Sequence, residues 1–252
     1  MDQDKILEIA VRAGSLLLKS GAETYRVEET IVRICQSYCL SCDAFVLPTG
    51  IFVSAGGKKT SLTIVRRISY RTVDLTSISR LNALSRKIQD QKPEYQKVMA
   101  ELDEISNIKK YSNITIAMAY ALTAFVYVLI FGGTLMESAA AVIVGVVLGL
   151  LRFLFRQGSS FPFIEYFFGG FAAGILGSLF SVLIGVNPYL VIIGALTNLV
   201  PGVALTNGIR DLLHGDIVSG LSRLGEALMT VFAIAAGTGV GIAAWNLIGV
   251  VA

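Results

Sequence analysis

The sequence predicts an α-helical polytopic membrane protein with a small α/β domain at its amino terminus. Two observations lead to this fold class. Of the 39 Lys, Arg, Asp and Glu residues, 30 lie within residues 1–110 and only 9 within 111–252. Glycine has the opposite distribution, with 5 residues before position 111 and 20 after it. A charge-rich segment stays in water, whereas a long charge-poor segment of glycine and aliphatic residues is typical of helices in lipid.

The first 110 residues carry the apolar patterns of four helices and three strands. Apolar residues at helical spacing predict four helices, of which the first covers 3–20 and the second contains Val27 and Ile31. Asp74 is placed to cap the third helix, and Pro93 begins the fourth. Between the second and third helices, three runs rich in β-branched and aromatic residues predict strands: AFVLP, GIFVSA and TSLTIVRRI. We therefore expect a small α/β domain over residues 1–110.

Residues 111–252 form the predicted transmembrane domain. A bilayer requires about 20 apolar residues per helix, and five segments meet that length, near 113–132, 136–155, 163–185, 189–208 and 225–250. About five transmembrane helices are therefore expected. Three pairs of glycines at small-xxx-small spacing predict close helix packing on spans two, three and five: Gly145 and Gly149, Gly170 and Gly174, Gly237 and Gly241.

The loop charges predict the orientation in the cell membrane. With five spans, all six basic residues at the span ends fall on the side of the amino-terminal domain: Lys109, Lys110, Arg152, Arg156, Arg210 and Arg223. The opposite loops and the tail after span five contain no Lys or Arg. The positive-inside rule therefore predicts a cytoplasmic amino-terminal domain and a carboxyl terminus outside the cell.

Several function classes are disfavoured by the composition. The net charge of +3 is small and scattered, so nucleic acid is not an expected partner. Cys35, Cys39 and Cys42 are interpreted as free thiols rather than metal ligands, because no fourth ligand is near and His214 lies beyond three predicted spans. GGKKTS lacks the spacing of a phosphate-binding loop. We expect no enzyme activity, no catalytic residues, no metal and no cofactor.

Span four contains the first candidate site. Asn198, Pro201 and Gly202 lie near its middle, and a proline there removes a backbone donor and disturbs the carbonyl one turn earlier. Thr197 and Asn198 could then satisfy the freed groups or offer them to a ligand, as in the broken helices of secondary transporters. A kink that only fits a neighbouring helix is an equally good interpretation.

The acidic residues near the membrane give further candidates. We expect Glu137, Asp211 and Asp216 to lie in loops and to pair with water or Arg210. Glu165 and Glu226 are expected about one turn inside spans, where a carboxylate usually faces a cavity or a partner. For Glu226 two interpretations stay open, which are pairing with Arg223 and proton coupling.

Three separated motifs, in this order, resemble the threonine/serine exporter family over nearly the whole chain. They are GAETYRVEETIVRI at Gly21–Ile34, LPTGIFVS at Leu47–Ser54 and NLVPGVALTNGIRDLLHGDIVSGLSRLGEAL at Asn198–Leu228. The resemblance implies export of small polar metabolites, with threonine and serine as solutes in some members and dicarboxylates such as succinate in others.

The resemblance also implies a partner and a set of residues. Single-chain members carry a second, smaller membrane domain, whereas this chain resembles the larger subunit of split members, which pair with a separate small membrane subunit in an oligomer. Three groups of residues are transferred on this basis: Thr49 and Gly50; Asn198, Pro201 and Gly202; Asn207, Arg210 and Asp211.

Two functional hypotheses therefore come from the sequence. The first is a proton-coupled secondary exporter subunit, with Thr197, Asn198, Pro201, Gly202 and Asn207 at the solute and Arg210, Asp211 and Glu226 as coupling or gating candidates. The second is a membrane-anchored sensor or scaffold that acts through its cytoplasmic domain. A simple anchor needs only one or two spans and gains nothing from Pro201, so the exporter is favoured.

Overall fold

The computed structural model describes residues 1–57, 60–109, 111–156 and 162–251, and Lys110, one of the predicted inside charges, lies outside them. The chain divides into two compact units. The first contains residues 1–109 and 203–225, and the second contains residues 110–202 and 226–252. The first unit thus combines the amino-terminal segment with a short segment of the predicted transmembrane domain.

The amino-terminal part of the first unit has four helices and a three-stranded sheet. Its elements are α1 (Gln3–Lys19), α2 (Thr24–Ser37), β1 (Cys42–Leu47), β2 (Gly50–Gly57), β3 (Thr60–Arg67), α3 (Leu75–Gln91) and α4 (Tyr95–Ser106). The predicted cap is confirmed, because the Asp74 carboxylate accepts a hydrogen bond from the Ser77 N–H at 3.0 Å. The apolar stripes of the helices meet in one core, in which Leu17, Ile31 and Leu102 are fully buried.

The three strands form an antiparallel meander in the order β1-β2-β3. Alternation along the strands places Val46, Ile51 and Val53 in the core, because successive side chains point to opposite faces. Thr49 and Gly50 lie where the chain turns from β1 into β2. There the Thr49 carbonyl accepts a hydrogen bond from the Ile68 N–H at 2.9 Å, which ties the turn to the end of β3.

The protein is a helical membrane protein. The remaining helices are α5 (Asn113–Ile130), α6 (Leu135–Arg156), α7 (Pro162–Ile184), α8 (Pro188–Leu196), α9 (Gly202–Leu213) and α10 (Ile217–Val251), with a 3₁₀ turn at Thr197–Leu199. Within the described ranges, α5, α6, α7 and α10 are each long and apolar enough to cross a membrane. The segments Pro188–Leu199 and Gly202–Leu213 are bent by 55° and make a fifth span if taken together.

Glycines set the close approach of the helices in the second unit. A Cβ added at Gly145 or Gly149 would lie 2.7 Å from backbone atoms of α5. The glycine pairs of α7 and α10 face each other, since a Cβ at Gly174 would lie 2.6 Å from the Thr238 carbonyl oxygen and one at Gly241 would strike the Phe171 carbonyl. The small-xxx-small spacing therefore marks backbone contacts between helices, as it does in many membrane proteins.

We expect Gly237→Ala to destabilise the second unit, because its Cβ would lie under 3.0 Å from the Phe167 carbonyl. Overpacking of this kind costs about 1–3 kcal/mol. Gly239→Ala is the matched control on the same helix, since a Cβ there meets nothing within 4 Å. Thermal unfolding in detergent should give a lower Tm for Gly237→Ala and an unchanged Tm for Gly239→Ala. Equal Tm values for the two variants would contradict this packing.

Candidate functional site

A group of polar side chains, of which all but Arg210 are buried, lies in the first unit at the corner between α1 and α2. We call it the Asp211 cluster, and its members are Glu23, Thr24, Asn207, Arg210, Asp211 and Arg223. The corner forms because Gly21 has φ +88, a left-handed conformation that ends α1 and that glycine adopts without strain. Helix α2 then begins at Thr24.

Asp211 caps α2 from a distant part of the chain. The N-cap residue of α2, Glu23, makes no side-chain cap hydrogen bond. Instead the Asp211 carboxylate accepts from the Thr24 N–H at 3.0 Å and from the Thr24 hydroxyl at 2.9 Å. The free N–H groups and the dipole of a helix amino terminus both favour a carboxylate there.

The charge of Asp211 is balanced by Arg223. The Arg223 Nε lies 3.0 Å from Asp211 Oδ2, and the two residues are 5% and 0% exposed. Arg223 also donates to the Ala22 carbonyl at 2.8 Å, and Asn207 donates to the Gly21 carbonyl at 2.8 Å. A buried ion pair is stable only when its remaining donors and acceptors are satisfied. The Ala22 carbonyl satisfies one of the remaining donors of Arg223.

A second ion pair completes the cluster. The buried carboxylate of Glu23 accepts from Arg210 at 2.6 Å and from Arg26 at 3.2 Å. Burial on its own raises the pKa of Glu23. Hydrogen bonds from the backbone and from Arg210, together with the charge of Arg26, outweigh burial and hold that pKa below its ordinary value. Glu23 is therefore ionised at neutral pH and binds Arg210 as a carboxylate.

Other acidic groups around the cluster respond to its negative charge. Burial raises the pKa of Asp216, and repulsion by Asp211 adds to that rise. Burial also raises the pKa of Glu28, and Asp216 and Asp211 raise it further. The ring of Tyr25 stacks on that of His214, with centroids 3.8 Å apart and planes 4° from parallel. The stacking of His214 on Tyr25 holds the turn that follows α9 against α2, while the carboxylates around it repel one another.

Two expectations about acidic residues are wrong. Asp211 does not lie in a loop or pair with Arg210. It lies within α9 and binds Arg223 and Thr24, because adjacent residues on a helix point in different directions. Glu137 does not lie in a loop either. It is in the first turn of α6, where its carboxylate accepts from the Asn187 N–H at 3.1 Å and from the Thr134 N–H at 2.6 Å.

The break after α8 is the second candidate site and belongs to the second unit. Val200 is extended, with φ −62 and ψ 127, as expected for a residue that precedes proline. The side-chain amide of Asn198 donates to the Tyr120 carbonyl at 3.2 Å and to the Ala195 carbonyl at 3.3 Å. The Thr197 hydroxyl donates to the Ile193 carbonyl at 2.9 Å. Asn198 thus holds the break against α5.

Sequence reasoning missed Arg152 as a site residue and used it only as a topology signal. Its guanidinium donates to the Tyr120 hydroxyl at 3.0 Å, and Glu165 and Tyr166 lie close enough to interact with its charge. Tyr120 therefore contacts Arg152 through its hydroxyl and Asn198 through its carbonyl. The sequence did contain a signal for it, because an arginine near the end of an apolar span often faces a polar partner or a cavity.

The predicted site residues fall into separate groups. Asn207, Arg210 and Asp211 belong to the Asp211 cluster, whereas Thr197, Asn198, Pro201 and Gly202 surround the break. Glu226 is exposed on α10.

Comparison with known proteins decides the family. A family model described as putative threonine/serine exporter matches residues 8–245. The chain belongs to this family. The resemblance stated from the three motifs is confirmed, and no solved structure matches the chain significantly.

Relatives of this threonine/serine exporter family member are of two kinds. A probable threonine/serine exporter of Mycobacterium tuberculosis is 26% identical over 92% of the chain, and a threonine/serine exporter of Corynebacterium glutamicum is 23% identical over 94%. The chain spans about half the length of these two proteins, 45% and 50%. A probable succinate transporter subunit, YjjP, of Klebsiella aerogenes is 21% identical over 98% of the chain and 97% of the relative.

We expect Asp211→Asn to destabilise the first unit strongly, because it removes the carboxylate charge that Arg223 faces in a buried site. Breaking a buried ion pair from one side costs about 3–5 kcal/mol. Asp216→Asn is the matched control in the same segment, since it relieves repulsion and keeps a short polar side chain. Thermal unfolding should show a large fall in Tm for the first variant only. A similar small change for both would mean that the Asp211 charge does not stabilise the fold.

Proposed function

We propose that this chain is a subunit of a proton-coupled secondary exporter of small polar metabolites, either threonine and serine or a dicarboxylate such as succinate. The observation that carries the proposal is the break between α8 and α9, where polar side chains and a proline interrupt an apolar helix. Membership of the exporter family supports it, as do the names of the relatives.

The chemistry of the solutes fits the residues near the break. Threonine, serine and succinate each carry a carboxylate and a further polar or charged group. Arg152 would supply the charge that attracts a carboxylate, because a guanidinium binds one through two parallel hydrogen bonds. Asn198 and the backbone next to Pro201 would bind the other polar group. Tyr120, which contacts both Arg152 and Asn198, would position them relative to each other.

We assign different roles to the coupling candidates. Asp211 and Arg210 are held in ion pairs with Arg223 and Glu23, so we propose that they position α9 rather than carry protons. Glu226 is exposed on α10 and is the better candidate for a group that exchanges protons during transport. Thr49 and Gly50, at the β1–β2 turn, are assigned a structural role.

The proposal includes a partner and an orientation. Relatives that the chain covers almost end to end are named transporter subunits, which supports a second small membrane subunit in the working exporter. The loop charges support an arrangement in the cell membrane with the amino-terminal unit in the cytoplasm and the carboxyl terminus outside. A cysteine placed in the loop between α5 and α6 should then react with an impermeant reagent added outside intact cells. Labelling from the inside only would reverse the orientation.

Counterflow of labelled serine, threonine and succinate tests the function. We expect vesicles that contain this chain and the second subunit to accumulate at least one of the three. Asn198→Ala should reduce transport per inserted protein roughly five- to 150-fold, since losing one hydrogen-bond partner of a desolvated group costs about 1–3 kcal/mol. Pro201→Ala should also slow turnover, because a continuous helix would satisfy its own carbonyls.

Asn187→Ala is the matched control, because Asn187 caps α8 through the Tyr189 N–H at the other end of the same helix. It should lower the amount of inserted protein without changing transport per molecule. If none of the three solutes moves although the complex is intact, the proposed substrates are wrong. If Asn198→Ala transports as well as the wild type per molecule, the solute does not bind at the break.

A further inference from the structure

A basic groove lies between α2 and α3 in the first unit and shares Arg26 with the ion pairs described above. Its cavity has a volume of about 170 Å³ and is lined by six polar residues, which are Arg26, Glu29, Thr30, Arg33, Asn82 and Arg86. The first four follow helical spacing along one face of α2, and the last two are one turn apart on α3. Two adjacent helices therefore direct three guanidinium groups and one carboxylate to the same cavity.

The arginines of the basic groove outnumber the acidic side chains beside them. Arg26 shares the carboxylate of Glu23 with Arg210. Arg33 and Arg86 have no ion-pair partner among the described residues. Neighbouring basic residues on α3 behave differently, since Arg80 pairs with Glu104 and Lys87 pairs with Glu101. The surface of α3 that faces α4 is therefore neutralised, whereas the surface that faces α2 keeps an excess of positive charge.

Thr30 adds a hydroxyl group to the lining of the groove. Thr30 is 3% exposed and lines the cavity, and its hydroxyl makes no hydrogen bond within the part of the chain that the structure describes. On α2, by contrast, the hydroxyl of Ser37 donates to the Arg33 carbonyl one turn earlier, at 2.7 Å. The hydroxyl is therefore available to donate to a ligand oxygen in the cavity.

We propose that the basic groove binds a small oxyanion with two or more negative charges, such as a phosphate or a dicarboxylate. Guanidinium groups bind both kinds of oxyanion with two parallel hydrogen bonds, and the Thr30 hydroxyl and the Asn82 amide supply further donors. The volume lies below the roughly 300–1,000 Å³ of sites for drug-sized ligands, so the ligand is small. This site does not depend on the transport proposal.

An anion bound in the groove would affect the Asp211 cluster through Arg26. Its guanidinium lines the groove and also pairs with Glu23, which binds Arg210. An anion that draws Arg26 away leaves the Glu23 carboxylate to Arg210. The ligand is therefore placed to act as a regulator of the segment that carries Arg210.

Calorimetric titration of the purified full chain in detergent, with inorganic phosphate and separately with succinate, tests the proposal. We expect saturable binding of at least one of the two anions at low ionic strength. The double variant Arg33→Gln/Arg86→Gln should bind it at least about tenfold more weakly, since each lost guanidinium removes a charge-assisted hydrogen bond. Thr30→Val should weaken binding several-fold. All of these variants should retain the Tm of the wild type.

Arg80→Gln is the matched control, because Arg80 lies on α3 outside the groove, and it should leave the affinity unchanged. Asn198→Ala separates succinate bound here from succinate bound at the proposed transport site, since it should not affect the groove. The proposal is overturned if neither anion binds saturably, or if the double variant binds as tightly as the wild type. It is also overturned if Arg80→Gln weakens binding as much as the double variant, because binding would then reflect overall charge.

Discussion

The buried pair of Asp211 and Arg223 is the constraint on which the arrangement of the first unit depends. Two charges removed from water are unfavourable unless each finds opposite charge and hydrogen bonds. Asp211 finds them in Arg223 and in the N–H and hydroxyl of Thr24, and Arg223 also donates to the Ala22 carbonyl. The pair is satisfied only when the α1–α2 corner, α9 and the start of α10 come together. Residues 203–225 therefore belong to the first unit although they follow an apolar span.

This constraint gives the family motifs a physical meaning. The motif GAETYR forms the corner between α1 and α2. Four side chains bind this corner through hydrogen bonds or ion pairs, and all of them lie in the motif that starts at Asn198: Asn207, Arg210, Asp211 and Arg223. Helix α9 begins at Gly202, directly after the break, and carries Asp211 near its other end. Holding Asp211 in the cluster therefore fixes the carboxyl-terminal part of α9 to the α1–α2 corner. The motif that starts at Asn198 thus contains both the break and the residues of α9 that bind the corner.

Local patterns predicted the elements but not this pairing. The stripes of α1 to α4, the Asp74 cap and the break at Pro201 each depend on residues within a few positions of one another, so the sequence was sufficient for them. Asp211 binds Thr24, 187 positions away, and no local pattern contains that information. The sequence predicted water or the adjacent Arg210 as its partner, yet Arg210 pairs with Glu23 instead. Arg152 was missed because a basic residue at a span end is also a topology signal.

A double-mutant cycle on Asp211 and Arg223 tests most directly whether this pair holds the first unit together. The unfolding free energies of the wild type, Asp211→Asn, Arg223→Gln and the double variant would be compared in the same detergent. We expect a coupling energy of about 1.5–3 kcal/mol, with the double variant clearly more stable than the sum of the two single losses predicts. Additive losses, within about 0.5 kcal/mol, would show that the two residues stabilise the protein independently and would contradict the account.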